Sequence, residues 1–163
     1  MRIIFVAVLI LLSPSITFGA NELVGKVVSV IDGNTFELET ENKELYKIIL
    51  YGIDCPEMGQ PFSEAAKAQL EKLILKQTLT VTVQGKNRYG IRQGYFVNKN
   101  RVDPRNILLK NGLAWTAEQN SIQDLEDLRL EAMVLKVGIW TEDEPVPPWI
   151  YRRTQSMLQP KSS

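Results

Sequence analysis

Residues 24–53 read VGKVVSVIDGNTFELETENKELYKIILYGI, and this stretch decides the fold. Val24, Lys26, Val28 and Val30 fall on one side of an extended chain and Val27 and Ser29 on the other, which reads as a strand. Ile31-Asp32-Gly33-Asn34 follows as a turn, because Gly tolerates positive φ while Asp and Asn bond their own backbone. Thr35 to Thr40 alternates again, with Phe36 and Leu38 set against Thr35, Glu37 and Glu39. After a second turn at Glu41-Asn42-Lys43, Leu45 to Ile53 is nearly continuous in apolar residues. Such a run predicts a strand buried on both faces. Three strands joined by tight turns make a meander.

Outward from the meander the period changes. Ala65, Ala66, Gln69, Leu70, Leu73 and Ile74 recur at helical spacing, predicting a helix over Ser63 to Lys76 with Ser63 as its cap. Leu79 to Val83 and Tyr95 to Val97 read as two further strands around a loop from Gly85 to Gly94. Asp103-Pro104 is a helix start, Asp capping and Pro at the first helical position, and the helix from Arg105 to Asn111 stops at Gly112. A third helix runs from Ile122 to Val137 with Leu125, Leu128, Ala132 and Leu135 on one face, ending at Gly138. Residues 145–163 are rich in proline and polar side chains and read as a tail. The sum is an α+β chain: a five-stranded OB-type β-barrel with three helices.

Composition narrows the chemistry. With 163 residues the chain holds one ordinary domain with a core. Nineteen basic residues balance 19 acidic ones, which argues against a protein that coats nucleic acid through bulk charge. There is no histidine, so imidazole bases, Ser-His-Asp triads and His-based metal sites are excluded. A single cysteine, Cys55, excludes an internal disulfide and reads as packed rather than reactive. Carboxylates, Lys, Arg, Tyr, hydroxyls and a hard metal ion remain.

Residues 1–19, MRIIFVAVLILLSPSITFG, have the anatomy of a secretory signal peptide: Arg2, an apolar run from Ile3 to Leu12, then small residues up to Ala20. The run is about half the length of a membrane span. The expected organisation is therefore a leader over 1–19, a domain over 20–144 and a tail over 145–163. The expected location is secreted or periplasmic, with no stable membrane span once the leader is cleaved. Loss of Arg2 leaves 18 basic against 19 acidic residues, a net charge of −1.

Five motifs then appear in order: Ile31-Asp32-Gly33-Asn34-Thr35, Ile53-Asp54-Cys55-Pro56-Glu57, Arg88-Tyr89-Gly90, Gly112-Leu113-Ala114-Trp115, and Pro147-Pro148-Trp149 followed by Arg152-Arg153. In order and spacing the chain resembles the staphylococcal nuclease (thermonuclease) family from about Val24 to Arg153. The resemblance implies an OB-type barrel with three helices. It also implies a calcium ion held by two aspartates and a carbonyl, a glutamate that assists the attacking water, and two arginines on the scissile phosphate. That chemistry needs no histidine, since a hard cation takes oxygen ligands and Arg grips phosphoryl oxygens with two bonds.

Carried over residue by residue, the resemblance places Glu57 at the general-base position and Asp54, Asn34 and the Cys55 carbonyl at the metal. Asn34 stands where the family has an aspartate, so one negative charge is missing. The two arginine positions hold Ile49 and Ile91. Each group that stabilises a transition-state charge is typically worth about 10²–10³ in rate. The implied calcium site is thus weak, vestigial or absent. Asp54 and Glu57 also read as the acidic ends of a turn between barrel and helix, and that reading is favoured. Lys47 lies two residues before Ile49, on the same strand face and about 7 Å away. With Arg88 it is the remaining candidate for phosphate contact. Arg152, Arg153 and Lys161 read as a small solvated basic end, and Trp149 as an anchor for the tail.

Sequence therefore favours an exported, catalytically impaired domain of this family. It would act as a ligand-, protein- or nucleic-acid-binding module, its partner a protein or small ligand in preference to nucleic acid. The alternative is an active metal-dependent endonuclease or phosphodiesterase.

Overall fold

The computed structural model describes residues 21–119 and 121–158; the expected leader and residues 159–163 of the expected tail lie outside them. Strands β1 (Glu22–Val30), β2 (Thr35–Glu39), β3 (Leu45–Leu50), β5 (Thr78–Lys86) and β6 (Arg92–Tyr95) close into a barrel in the order β1-β2-β3-β6-β5. All neighbours run antiparallel except β3 and β6, whose parallel pairing closes the barrel. Two short strands, β4 (Ile53–Asp54) and β7 (Trp115–Thr116), pair outside it. Helices α1 (Ser63–Ile74), α2 (Pro104–Lys110) and α3 (Gln123–Val134) follow in chain order, with a 3₁₀ turn at Gly138–Thr141 and a fourth helix, α4 (Pro148–Leu158). The five-stranded barrel is the expected architecture, with one helix more. Among the described residues no helix is long and apolar enough to cross a membrane.

The interior is filled by Val27, Phe36, Leu38, Ile48, Leu50 and Val81, each at most 1% exposed. Phe36 meets Phe96 edge-on, ring centroids 5.6 Å apart, a geometry that suits the ring quadrupoles. Two sequence expectations about faces give way here. In β1 the register shifts between Val27 and Ser29, so Val28 is an extra residue and the alternation changes phase. Val24, Lys26 and Val28 face outward as a set, but Val30 turns into the core with Val27. In β3, Ile48 and Leu50 are buried while Leu45 and Lys47 are exposed. A small barrel has one interior, and among the described residues no layer covers the outer face of β3 at these positions. The strand also stops at Leu50; Gly52, at φ +86°, turns the chain out toward β4.

Helix α1 buries Ala66, Leu70 and Ile74 against the barrel. Phe62, in the left-handed conformation, precedes its first residue, so Ser63 starts the helix instead of capping it. In α2 the expected start holds: the Asp103 carboxylate accepts the Arg105 backbone N–H at 2.9 Å, and Pro104 is buried. The end of α3 falls at Val134, which leaves Leu135, expected on its apolar face, 63% exposed.

Beyond α2, Gly112 at φ +61° sits against Gly138 at φ +57°, and the Ile139 N–H donates to the Gly112 carbonyl at 2.8 Å. A Cβ on Gly112 would lie 2.0 Å from the Val137 carbonyl oxygen. Neither the conformation nor the space admits a side chain. Replacing Gly112 by Ala is expected to destabilise the protein by at least about 1–3 kcal/mol, the usual cost of overpacking, as read from urea unfolding. A loss well below that range would show that the junction between α2 and the 3₁₀ turn yields rather than locks.

Candidate functional site

The site forms where the chain leaves the barrel. Asn34 ends the turn between β1 and β2. Its backbone N–H donates to the Asp32 carboxylate at 2.9 Å, and its carbonyl accepts the Leu50 N–H at 2.8 Å. Its side-chain amide faces the Ile53 carbonyl at 3.4 Å, so Asn34 joins the two loops that frame Asp54. Gly33 is pressed between Ala66 and Cys55, where a Cβ would come within 2.6 and 2.7 Å of their Cβ atoms. Only glycine lets this turn approach so closely.

Asp54 and Glu57 flank Cys55 and Pro56. The Glu57 backbone N–H donates to Gln60 Oε1 at 2.8 Å, and Gln60 Nε2 donates to the Val146 carbonyl at 2.8 Å. The segment leading into α4 is therefore tied to the loop that carries Glu57. From α4, Arg152 reaches back across 98 residues. Its Nη2 donates to Asp54 Oδ2 at 2.8 Å and its Nη1 to Oδ1 at 3.2 Å, while Nη1 also bonds Glu57 Oε1. The guanidinium thus holds both carboxylates, and it holds Asp54 with two parallel bonds.

The reason lies in helix spacing. Asp54 and Trp115 are direct partners in the β4–β7 pair. Trp149 and Arg152 are three residues apart, hence on one face of α4. The same face sets Trp149 against Trp115, centroids 5.8 Å apart, and Arg152 against Asp54. Trp115 in turn meets Trp140 at 4.4 Å, and Arg153 pairs with Glu118 at 2.7 Å. The two arginines of the basic end expected to be solvated are therefore engaged, Lys161 lies outside the described residues, and Pro148–Leu158 of the expected tail form a docked helix. Sequence carries one signal for this, the prolines at 147 and 148 ahead of Trp149. Pro at a first helical position marks a start, and Pro148 begins α4.

Burial pushes the Asp54 carboxyl up, against the hydrogen bonds and attraction of Arg152 that pull it down; the net direction is upward from 3.8. Burial also opposes the charge of Arg152, but its bonds to Asp54 and Glu57 outweigh that and hold the guanidinium more firmly protonated than usual. Cys55 is a free, buried thiol raised well above its ordinary value by burial first and by Asp54, Asp32 and Glu57 second. It is not a nucleophile at neutral pH.

The remaining sequence candidates lie along the barrel. Ile49, half-buried, is in register with Thr35 on one side and Gln93 on the other. Ile91, also half-buried, immediately precedes β6; its carbonyl accepts the Asn87 backbone N–H at 2.9 Å, and its own N–H donates to the Asn87 side-chain oxygen at 3.0 Å. Lys47 is exposed opposite Glu37. Arg88 is exposed with its guanidinium 4.8 Å from the centre of the Tyr89 ring. Arg92, next to Ile91, lies over Tyr46 at 4.1 Å and so does not stand in for an arginine at position 91.

Calcium takes six to eight oxygens. At this site Asp54 offers both of its oxygens to Arg152, Asn34 turns its amide nitrogen to Ile53, and Asp32 caps Asn34. Among the described residues no three acidic, Cys or His side chains gather at metal-binding distance. This donor set does not fit calcium while α4 is docked.

A family model described as "Staphylococcal nuclease homologue" matches residues 47–142. The chain is 34% identical over 129 residues to an Escherichia coli O157:H7 protein named "Uncharacterized endonuclease", covering 78% of this chain and 84% of the relative. It is 34% identical over 158 residues to "Protein ParB" of Escherichia coli, covering 90% and 86%. With "Micrococcal nuclease" of Shigella flexneri it shares 28% identity over 140 residues, covering 79% and 80%.

The sign of the Asp54 shift sets a pH dependence. Its protonated form is favoured by folding, so its contribution is full below 3.8 and is lost as pH climbs through the raised folded value. An NMR titration of the Asp54 carboxyl carbon is expected to show a midpoint above 3.8. In an Arg152→Gln variant the midpoint should move higher still. An unchanged midpoint would show that Arg152 does not stabilise the Asp54 carboxylate.

Proposed function

The chain belongs to the staphylococcal nuclease homologue family, and from that membership we propose a domain silenced as a nuclease and retained for binding. One observation carries the reading: Arg152 holds both Asp54 and Glu57, the carboxylates at the metal and general-base positions. A general base must reach water, and Glu57 instead holds a guanidinium. The two positions that the resemblance assigns to arginines carry Ile49 and Ile91, which make no bond to phosphate. Asp32, Asp54 and Glu57 outnumber Arg152 locally, so the site disfavours an anion.

The ligand class that suits this surface is neutral or cationic. Beside the carboxylates lies a cleft of about 100 Å³ walled by Pro56, Phe62, Trp115 and Ile139, with the exposed carboxylates of Glu142 and Glu144 at its edge. Apolar walls with a few placed charges are the usual build of a binding cleft, and against the roughly 300–1,000 Å³ of a typical ligand cleft this one has room only for a small group such as a single side chain. The domain acts outside the cytoplasm, with residues 1–19 as its leader. N-terminal sequencing of protein from the periplasm or medium should begin near Ala20; recovery of the intact leader in a cytoplasmic fraction would reject export.

A sensitive plasmid-nicking and single-strand cleavage assay, with excess calcium and protein free of host nuclease, is expected to show no turnover. Turnover that disappears in Glu57→Gln would sink the proposal. The combined variant Asn34→Asp, Ile49→Arg, Ile91→Arg and Arg152→Gln should gain cleavage. No gain in a well-folded combination would mean that more than these four side chains separates the site from a working one.

The two retained carboxylates, and relatives named as nucleases, favour one second reading, a metal-dependent phosphodiesterase. It requires calcium binding by the unmodified protein. Calorimetry without a binding heat at millimolar calcium would dismiss it.

A further inference from the structure

We propose that the Arg152 guanidinium is the resident cation of this site, and that docking of α4 and binding of a divalent cation at Asp54 exclude one another. This deepens the reading above, on which it rests for the assignment of the site.

The argument is geometric. Arg152 Nη2 and Nη1 lie 2.8 and 3.2 Å from the two oxygens of Asp54, and Nη1 also bonds Glu57. A hard cation binds carboxylate oxygens at about 2.3–2.6 Å. It would need the same oxygens and would meet the positive fork beside them. The Asp54 side chain is 16% exposed, so a counter-charge must stay close to it. Either the guanidinium or a metal ion can supply that charge, but not both in this space.

The fork is not a loose surface arginine. Trp149 packs on Trp115, Pro148 is buried, Gln60 bonds the Val146 carbonyl, and Arg153 pairs with Glu118. The Tyr151 hydroxyl stands 2.9 Å from where a Cβ would project from Gly59, whose φ of +92° keeps that place bare. Together these contacts deliver Arg152 to one position. Displacing it therefore displaces α4, and the two events are linked. Linkage is reciprocal: whatever factor separates metal affinity with and without Arg152 also measures how far metal loosens the helix.

Two readouts test this on the full chain, and neither depends on turnover. Calorimetric titration with Tb³⁺, and separately with Ca²⁺, is expected to show binding to Arg152→Gln that is tighter than to the unmodified protein by about 5–150-fold, the usual span of such coupling. The second readout uses trypsin: a bond held within a docked helix is a poor substrate, so cleavage after Arg152 and Arg153 is expected to quicken when α4 leaves its seat. In the unmodified protein, saturating Tb³⁺ should accelerate that cleavage, with sodium chloride of equal ionic strength as the control. Equal metal binding by the two proteins, or none by either, overturns the proposal. So does a cleavage rate indifferent to the metal, which needs no variant to fold. Nicking by the unmodified protein that depends on Glu57 would overturn the proposed function and leave these two measurements to decide the exclusion on their own.

Discussion

The contact between Arg152 and the pair Asp54 and Glu57 joins the end of the described chain to the place where the barrel opens into its first helix. Asp54 is largely withdrawn from water, and a carboxylate in that position needs a charge or donors close by. Helix α4 brings both. The cost of burying Asp54 and the seating of α4 are therefore one matter: the helix docks where it finds the carboxylates, and the bonds from Arg152 offset part of the cost that burial puts on the Asp54 charge. Arg152 itself is half exposed, so this is a contact of intermediate strength. It is well below a buried pair and above an isolated surface bridge.

Seating that arginine takes apolar support, and the support is built from distant parts. Trp115 stands between Trp140 and Trp149, meeting both edge-on. Ala132, Ile139 and Trp140 form a small second core beside the barrel. Thr116 and Arg129 both bond Glu126, which fixes α3 against the strand that carries Trp115. The 3₁₀ turn bearing Trp140 is placed by the two glycines that face each other at 112 and 138. The apolar cluster sets where α4 lies, and the charges set which residue of α4 meets the site.

How much of this was legible in the sequence follows from range. Alternation marked β1 and β2, and Asp103-Pro104 marked the start of α2, because each signal lies within a few residues. The phase of β1 was not legible, since the extra residue Val28 is defined only by its pairing with β2. The one-sided burial of β3 was hidden for a related reason: an apolar run does not say whether a second layer exists. Motif order singled out Asn34, Asp54 and Glu57, which the structure sets around one joint, and also Ile49 and Ile91, which lie along the barrel. The partner of Asp54 could not, because it stands 98 residues away and meets its target through a helix with a weak start signal.

Cys55 shows what this close packing does to a lone thiol. It is sealed between the turn at Gly33 and the first helix, 2% exposed, with three carboxylates discouraging its ionisation. A folded molecule therefore has no thiol to offer to disulfide formation. A disulfide-linked dimer can form only from molecules that have opened at the joint between barrel and helix. In a chain with no other cysteine, covalent dimers become a cumulative record of unfolding. The protein carries its own gauge of how often that joint comes apart.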